Sequence, residues 1–360
     1  MKEAAILIVV MMAMGLQGGP ARASHPTDMD NTGDANMPDV SVVQPDGQPR
    51  TQQAHLSDMV LIPGGSFEMG DGFSEGWAEE RPVRMVTLDA FYIGRHEVTH
   101  RQYGEFLNWA NAQGLITVAE GVVCKAGVWP RHHYCSTVTA HPYSQILYRD
   151  GVFSVRAKGA RSMADDPVTC VTWYGAAAYC NWLSGRLGKQ PCYDSTTLLP
   201  IYPLPNGVRL PTEAQWEYAA RDGLVGKRFP WGDTITHSQA NYYSATDYDY
   251  DRSPTRTFHP AWDDGIRPFT SPVGGFPANG YGLHDVAGNV REWCNDWYLD
   301  SYYRSGPSEN PTGPSSGTAR IVRGGAWGDS AFDVRVARRK HDVPHLRYGN
   351  NGFRIAMNAE

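Results

Sequence analysis

The sequence predicts an α+β domain, mixed in order, loop-rich and low in regular secondary structure. Three observations carry that expectation. The 360 residues include 38 Gly, 25 Pro, 11 Trp and 19 Tyr, a mixture that favours loops pinned by aromatic side chains over long helices or a repeating sheet. Only three segments combine a capping signature with helical periodicity. Elsewhere the apolar residues fall in short runs broken by Gly, Pro and Asp, without an internal repeat.

From the N-terminus, Lys2 precedes the apolar run Ala4 to Met14, and Ala21-Arg22-Ala23 follows. This is the charged start, short hydrophobic stretch and small-x-small cleavage site of a signal peptide, residues 1–23. The run is too short to span a bilayer comfortably, so no transmembrane segment is expected after cleavage. The mature protein is expected to be secreted or periplasmic. Residues 24–56, rich in Asp, Pro, Gln, Ser and Thr, read as a disordered linker, and a single domain is expected over 57–360. Order begins at Met59-Val60-Leu61-Ile62, turns at Pro63-Gly64-Gly65 and resumes at Ser66 to Gly70. The next strand candidate is Val83 to Ile93.

Thr99 caps the first helix, with Gln102 completing a capping box, and Tyr103, Phe106, Leu107 and Ala110 form its apolar face. The second runs from Thr172 to about Arg186, with Trp173, Ala176, Ala177, Cys180 and Leu183 inward. The third starts at Thr212, again with a Gln three residues on (Gln215), and turns Trp216 and Ala219 inward. After Ala220 helical periodicity is nearly absent.

Composition excludes some functions. A formal charge of -6 gives no basic footprint for nucleic acid, and no polybasic run suits an anionic membrane. Six cysteines, Cys124, Cys135, Cys170, Cys180, Cys192 and Cys294, are disulfide candidates in an oxidising compartment. A local Cys124–Cys135 bridge is expected, and the other four allow three pairings. No CxxC occurs. His132, His133 and His141 read as surface histidines rather than transition-metal ligands.

Several segments are specific in combination: Ile62 to Gly70, Tyr92 to Thr99, Pro167 to Trp173, Arg209 to Arg221, Pro230-Trp231-Gly232, Asn279 to Leu283, Ala287 to Trp293, Arg323 to Trp327 and Gly352-Phe353-Arg354. In order and content they resemble the formylglycine-generating enzyme (sulfatase-modifying factor) family, from about Met59 to Met357. The resemblance implies a fold related to C-type lectins. It also implies two structural calcium ions, one on Asp285, Gly288, Val290 and Glu292, the other on Asn241, Tyr242, Asp264 and Ile266. Carboxylates flanking backbone carbonyls on a Gly turn are the donors a hard cation takes.

The resemblance further implies a copper(I) site on two cysteines after the Gly-Gly segment, and here this chain departs. Asp329 stands at the first cysteine position and Val334 near the second. Ala326 replaces a serine, and Arg291 replaces a pocket tryptophan. No Cys follows Cys294. Copper(I) requires soft thiolates, so copper is not expected. What remains is a polar group: Asp329, Arg335, His341 and His345 as acid, clamp and base candidates, with Trp327, Arg291, Arg338 and Asn351 as pocket residues. Arg354 reads instead as a scaffold residue paired with buried carboxylates.

Cysteine-lacking relatives of the family include periplasmic proteins that mature a siderophore chromophore. The first expectation is thus a diverged exported enzyme acting on a peptide or small molecule. The second is a non-catalytic lectin-like module binding a peptide, glycan or envelope partner. Residual formylglycine formation is the reading that the residues favour least.

Overall fold

The computed structural model of the protein describes residues 42–43, 58–127 and 132–359, all within one compact unit, Gly33–Glu360. The expected signal peptide and nearly all of the linker lie outside the described residues. Val42–Val43, inside the stretch read as a linker, pairs antiparallel with Arg156 and Val155. No helix among the described residues is long and apolar enough to cross a membrane.

Among the described residues, three main helices form where capping chemistry calls for them. Helix α1 is His100–Ala112, α2 is Trp173–Arg186 and α3 is Glu213–Arg221. The hydroxyls of Thr99, Thr172 and Thr212 accept the amides of Gln102, Gly175 and Gln215, satisfying first-turn donors that would otherwise lack partners. A short fourth helix, Tyr302–Ser305, has no sequence signature.

Among the described residues the strands are short and divided among five small sheets. The expected strand over Val83 to Ile93 is two, Arg84–Leu88 and Phe91–Gly94. The first pairs with Gly65–Met69 and the second with Met59–Ile62, so the chain changes sheet at Asp89-Ala90. The sheet that positions the site has Arg291–Trp297 inside. Arg320–Arg323 lies antiparallel on one side and Asn351–Gly352 parallel on the other, with Lys340–Asp342 beyond Arg320–Arg323. Alternation along Arg291–Trp297 serves two cores. Trp293 enters the cluster around α1 and α2, whereas Cys294 enters the one around α3. The Arg320 guanidinium lies between two indoles, 3.8 Å from the Trp173 centroid and 3.4 Å from that of Trp297, which offsets its desolvation.

Every residue of α3 is buried. Its polar stripe, Glu213, Glu217 and Arg221, is covered because basic residues of the C-terminal segment reach it. Arg339 forks Glu213 at 2.6 and 2.9 Å, and Arg323 bonds Glu217.

The expected disulfides are corrected: all six cysteines are buried and no disulfide joins them. Cys124 opposes His133 while Cys135 opposes Val123, because the register shifts between those pairs. In that register the two thiols, expected to bridge because they share one segment, are not direct cross-strand partners.

Candidate functional site

The loop expected to carry chemistry opens with Gly324 and Gly325, at φ 86° and 72°. A Cβ on Gly325 would lie 2.5 Å from Val334 Cγ1, so glycine lets the two ends of the 325–334 loop close together. Val334 is fully buried, packed with Phe229, Ile235 and Tyr242. Within the loop the Asp329 amide donates to the Ala326 carbonyl at 2.9 Å, and the Asp329 carbonyl accepts the Tyr243 amide at 2.8 Å.

The Asp329 carboxylate is buried and clamped. Arg291 donates to both oxygens, at 2.6 and 2.5 Å, and the Lys340 ammonium adds a third contact at 3.1 Å. Two positions that depart from the family pattern, Arg291 and Asp329, therefore satisfy each other. Burial alone would raise the Asp329 carboxyl, but Arg291 and Lys340 overcome it and hold the group well below the usual carboxylate range. Such a carboxylate is a weak proton acceptor.

From here an ion network runs outward. Lys340 also meets Asp333 at 3.3 Å, Asp333 accepts Arg338 at 3.1 Å, and Glu80 joins Arg338 to Arg335. Arg335 sits at the far end, with Glu80 at 3.0 Å, Glu75 at 3.8 Å and Asp71 at 3.9 Å. Its place is to anchor the 71–80 segment rather than to flank Asp329.

His341 does not turn toward Asp329 either. In Lys340–Asp342, residues 340 and 342 turn to one side and 341 to the other. Lys340 reaches Asp329, and Asp342 accepts the Asn351 amide at 2.7 Å. His341 instead stacks on Tyr298, with ring centroids 3.7 Å apart, and both His341 and His345 are exposed. Lys340 and Asp342 were not among the expected site residues, although period-two alternation in Lys340-His341-Asp342 was the available signal. Burial raises the Asp342 carboxyl, opposed by Arg291. Beside it, Asn351 is fully buried and its Oδ1 has no hydrogen-bond partner.

Trp327 closes the inner wall. Its Nε1 donates to the Gly349 carbonyl at 3.3 Å, and its ring packs against Phe269, Phe258 and Tyr143 at 5.3, 5.7 and 6.4 Å. The residues do not fit copper(I). One expected thiolate position is a hard carboxylate already held by two cations, and the other is a buried valine.

The calcium expectations divide. In the first group, Glu292 is forked by Arg354 at 2.6 and 2.7 Å and also takes the Trp216 indole N–H at 2.7 Å. Asp285 accepts the Gly274 amide on one oxygen only, and its buried Oδ1 has no partner. Glu97 lies against the same group, taking Asn289 Nδ2 at 3.0 Å and the Val290 amide at 3.3 Å. Burial and the neighbouring Asp285 and Glu292 raise Glu97 well above the usual range, and burial pushes Asp285 up to about 6. Glu292 is thus occupied by Arg354 and Trp216, whereas Glu97 and Asp285 are two buried acids whose charge a divalent cation would offset.

The second group does not fit a metal ion. The ammonium of Lys158 meets Asp264 Oδ1 at 3.3 Å and the Pro268 carbonyl at 2.5 Å, and bonds the Ile266 carbonyl. The Tyr242 carbonyl faces His237 Nε2 at 3.1 Å. Asn241 donates to the Phe269 carbonyl and its Oδ1 is left over.

His132, His133 and His141 turn to different partners: Tyr174, Arg347 and Cys170. Among the described residues no three His, Cys, Asp or Glu side chains converge on a metal position.

Residues 43–359 match the sulfatase-modifying factor enzyme 1-like domain. The formylglycine-generating enzyme of Streptomyces coelicolor is 35% identical over 338 residues, covering 88% of this chain and 93% of that one. The serine/threonine-protein kinase pkn1 of Chlamydia pneumoniae is 32% identical over 85% of this chain, which spans only 39% of that relative's length. Among solved structures, Treponema denticola variable protein 1 superposes with a TM-score of 0.56 at 25% identity, covering 84% of this chain and 95% of that one. PvdO from Pseudomonas aeruginosa gives 0.54 at 27%, with 84% and 94% covered.

Proposed function

Since the chain belongs to the sulfatase-modifying factor enzyme 1-like family, we propose that it is an exported member that has exchanged the copper site for a buried ion pair. It acts on a peptide or small molecule without oxidising cysteine. The observation that carries this reading is the Arg291–Asp329 fork. A carboxylate held by two cations supplies neither a soft ligand nor a ready base, and a thiolate in its place would meet a guanidinium rather than a metal.

Proton transfer at this face falls to Asp342. Burial raises it above the ordinary carboxylate value, against the opposing charge of Arg291, the direction that a carboxyl handling a proton requires. Asn351 orients it, and the unpartnered Asn351 Oδ1 suits an N–H or O–H donor. Asp329 and Lys340 fix Arg291 as a positioning group.

Near the Asp285 group, Asp285, Glu97 and the carbonyls of Gly288 and Val290 would hold the one structural calcium ion. It would neutralise charge and stiffen the turn, without a part in the reaction.

Two measurements test the reading. Copper-loaded protein is incubated with a Cys-X-Pro-X-Arg peptide, and no aldehyde is expected; formylglycine on that peptide would sink the proposal. Ligand turnover should fall at least tenfold in Asp342→Asn and shift its pH profile, with folding intact.

A second reading, a binding module without turnover, draws on the aromatic wall of Tyr143, Phe258 and Trp327 and the 41% exposed Tyr348 nearby. It predicts that ligand affinity falls in Tyr348→Ala but not in Asp342→Asn.

A further inference from the structure

We infer that Lys158 has taken the place of the second calcium ion, so that a tethered ammonium now ties together the 262–270 segment. Lys158 ends the Val152–Lys158 strand, far in sequence from the oxygens it reaches. Its side chain is only 3% exposed. It gathers one carboxylate oxygen and two backbone carbonyls, from Asp264, Ile266 and Pro268. That is the oxygen chemistry of a hard-cation site, presented to a nitrogen.

All four expected donors are accounted for. Asp264 and Ile266 face the ammonium, and the Tyr242 carbonyl faces His237. Asn241 turns its amide N–H to Phe269, leaving a single amide oxygen, which does not make a calcium site. A calcium ion on Asp264 would also lie against the lysine charge, which repels it. A neighbouring cation works the same segment: Arg161 bonds Asp166 at 2.6 Å and the Thr270 carbonyl at 3.1 Å, and lies 4.9 Å from the Trp262 ring centroid. Arg161 and Lys158 thus give the segment covalently attached positive charge where the resemblance implies an exchangeable ion.

This inference is independent of what the Asp329 face does. The test uses the whole protein, stripped with EGTA and titrated with calcium. Calcium is counted by native mass spectrometry, and backbone exchange is followed over residues 262–270. The wild type is expected to bind no more than one ion, with exchange in 262–270 unchanged by calcium. Lys158→Ala is expected to lose protection there in EGTA, to bind one ion more than the wild type, and to regain protection with calcium. Two ions on the wild type, or calcium-dependent protection of 262–270, overturns the inference. So does a folded Lys158→Ala protein that takes up no additional ion. If Lys158→Ala does not fold, the wild-type count and exchange decide alone. A wild-type count of zero removes the calcium reading of the Asp285 group while leaving this one standing.

Discussion

Arg291 and Glu292 are neighbours on one strand, and each belongs to a buried arginine–carboxylate fork on opposite faces of the sheet. On the Glu292 face, Arg354 forks a residue of the family pattern and touches the Gly94, Arg95 and His284 carbonyls, so it joins three segments. On the Arg291 face both partners depart from the pattern, and they depart together. The same chemistry thus serves as frame on one side and as replacement on the other. Strand alternation keeps the two apart, so the face that departs from the family pattern lies opposite the face that keeps it.

That contrast can be broken or sharpened by measurement. The largest effect is expected at Arg354→Ala. It leaves Glu97, Asp285 and Glu292 without their shared cation, and uncovering a buried pair costs about 3–5 kcal/mol. Urea melts at pH 7 should show that loss or complete unfolding; a change below about 1 kcal/mol would deny Arg354 its framing part.

Next come Asp329→Ala and Arg291→Leu, each expected to cost about 3 kcal/mol. The double variant should lose less than the sum by more than about 1 kcal/mol. Additive losses would mean that the fork is a geometric accident. Third, EGTA should lower the melting temperature through the Asp285 group, by about 2–3 kcal/mol of stability relative to calcium at a hundredfold excess over its Kd. Both Arg291-face variants should keep that response, and a melting curve indifferent to EGTA removes the calcium claim.

The smallest effect concerns Asp296, on the Glu292 face. It accepts the first amide of α3 at 2.9 Å. Burial, with help from Glu213, pushes its pKa up to about 7. The folded protein therefore favours the protonated form. This contribution to stability is full below the unfolded value near 4 and is lost as pH rises through 7. Asp296→Asn keeps the acceptor without the charge. It should be neutral at pH 4 and stabilising at pH 8, on the order of 1–2 kcal/mol. A variant equally stable relative to wild type at both pH values would refute the assignment.

Much of the frame was legible in the sequence because it rests on local rules. The threonine caps and inward faces of the three helices follow from spacing alone. Arg354, inside the Gly-Phe-Arg motif, reads as a scaffold residue paired with a buried carboxylate, and it forks Glu292. The candidate site was legible only in part. Asp329 and Arg291 stand out as departures, but that they meet is a tertiary fact across 38 residues. Arg335 and His341 misled for a different reason. Residues close in sequence to a loop need not share its face, and alternation sent Lys340 inward and His341 outward. The buried α3 stripe and the grip of Lys158 on Asp264 were hidden because charged side chains read as surface until their partners are known.

The three-residue strand that ends in Asp342 decides by parity which side chains reach the centre. Removing one residue from the turn before it would swap ammonium and carboxylate for imidazole without altering any residue inside the strand. The length of that turn is therefore as much a determinant of which side chains face Asp329 and Asn351 as the residues themselves, and a one-codon deletion is the shortest route by which such a protein acquires a histidine at its heart.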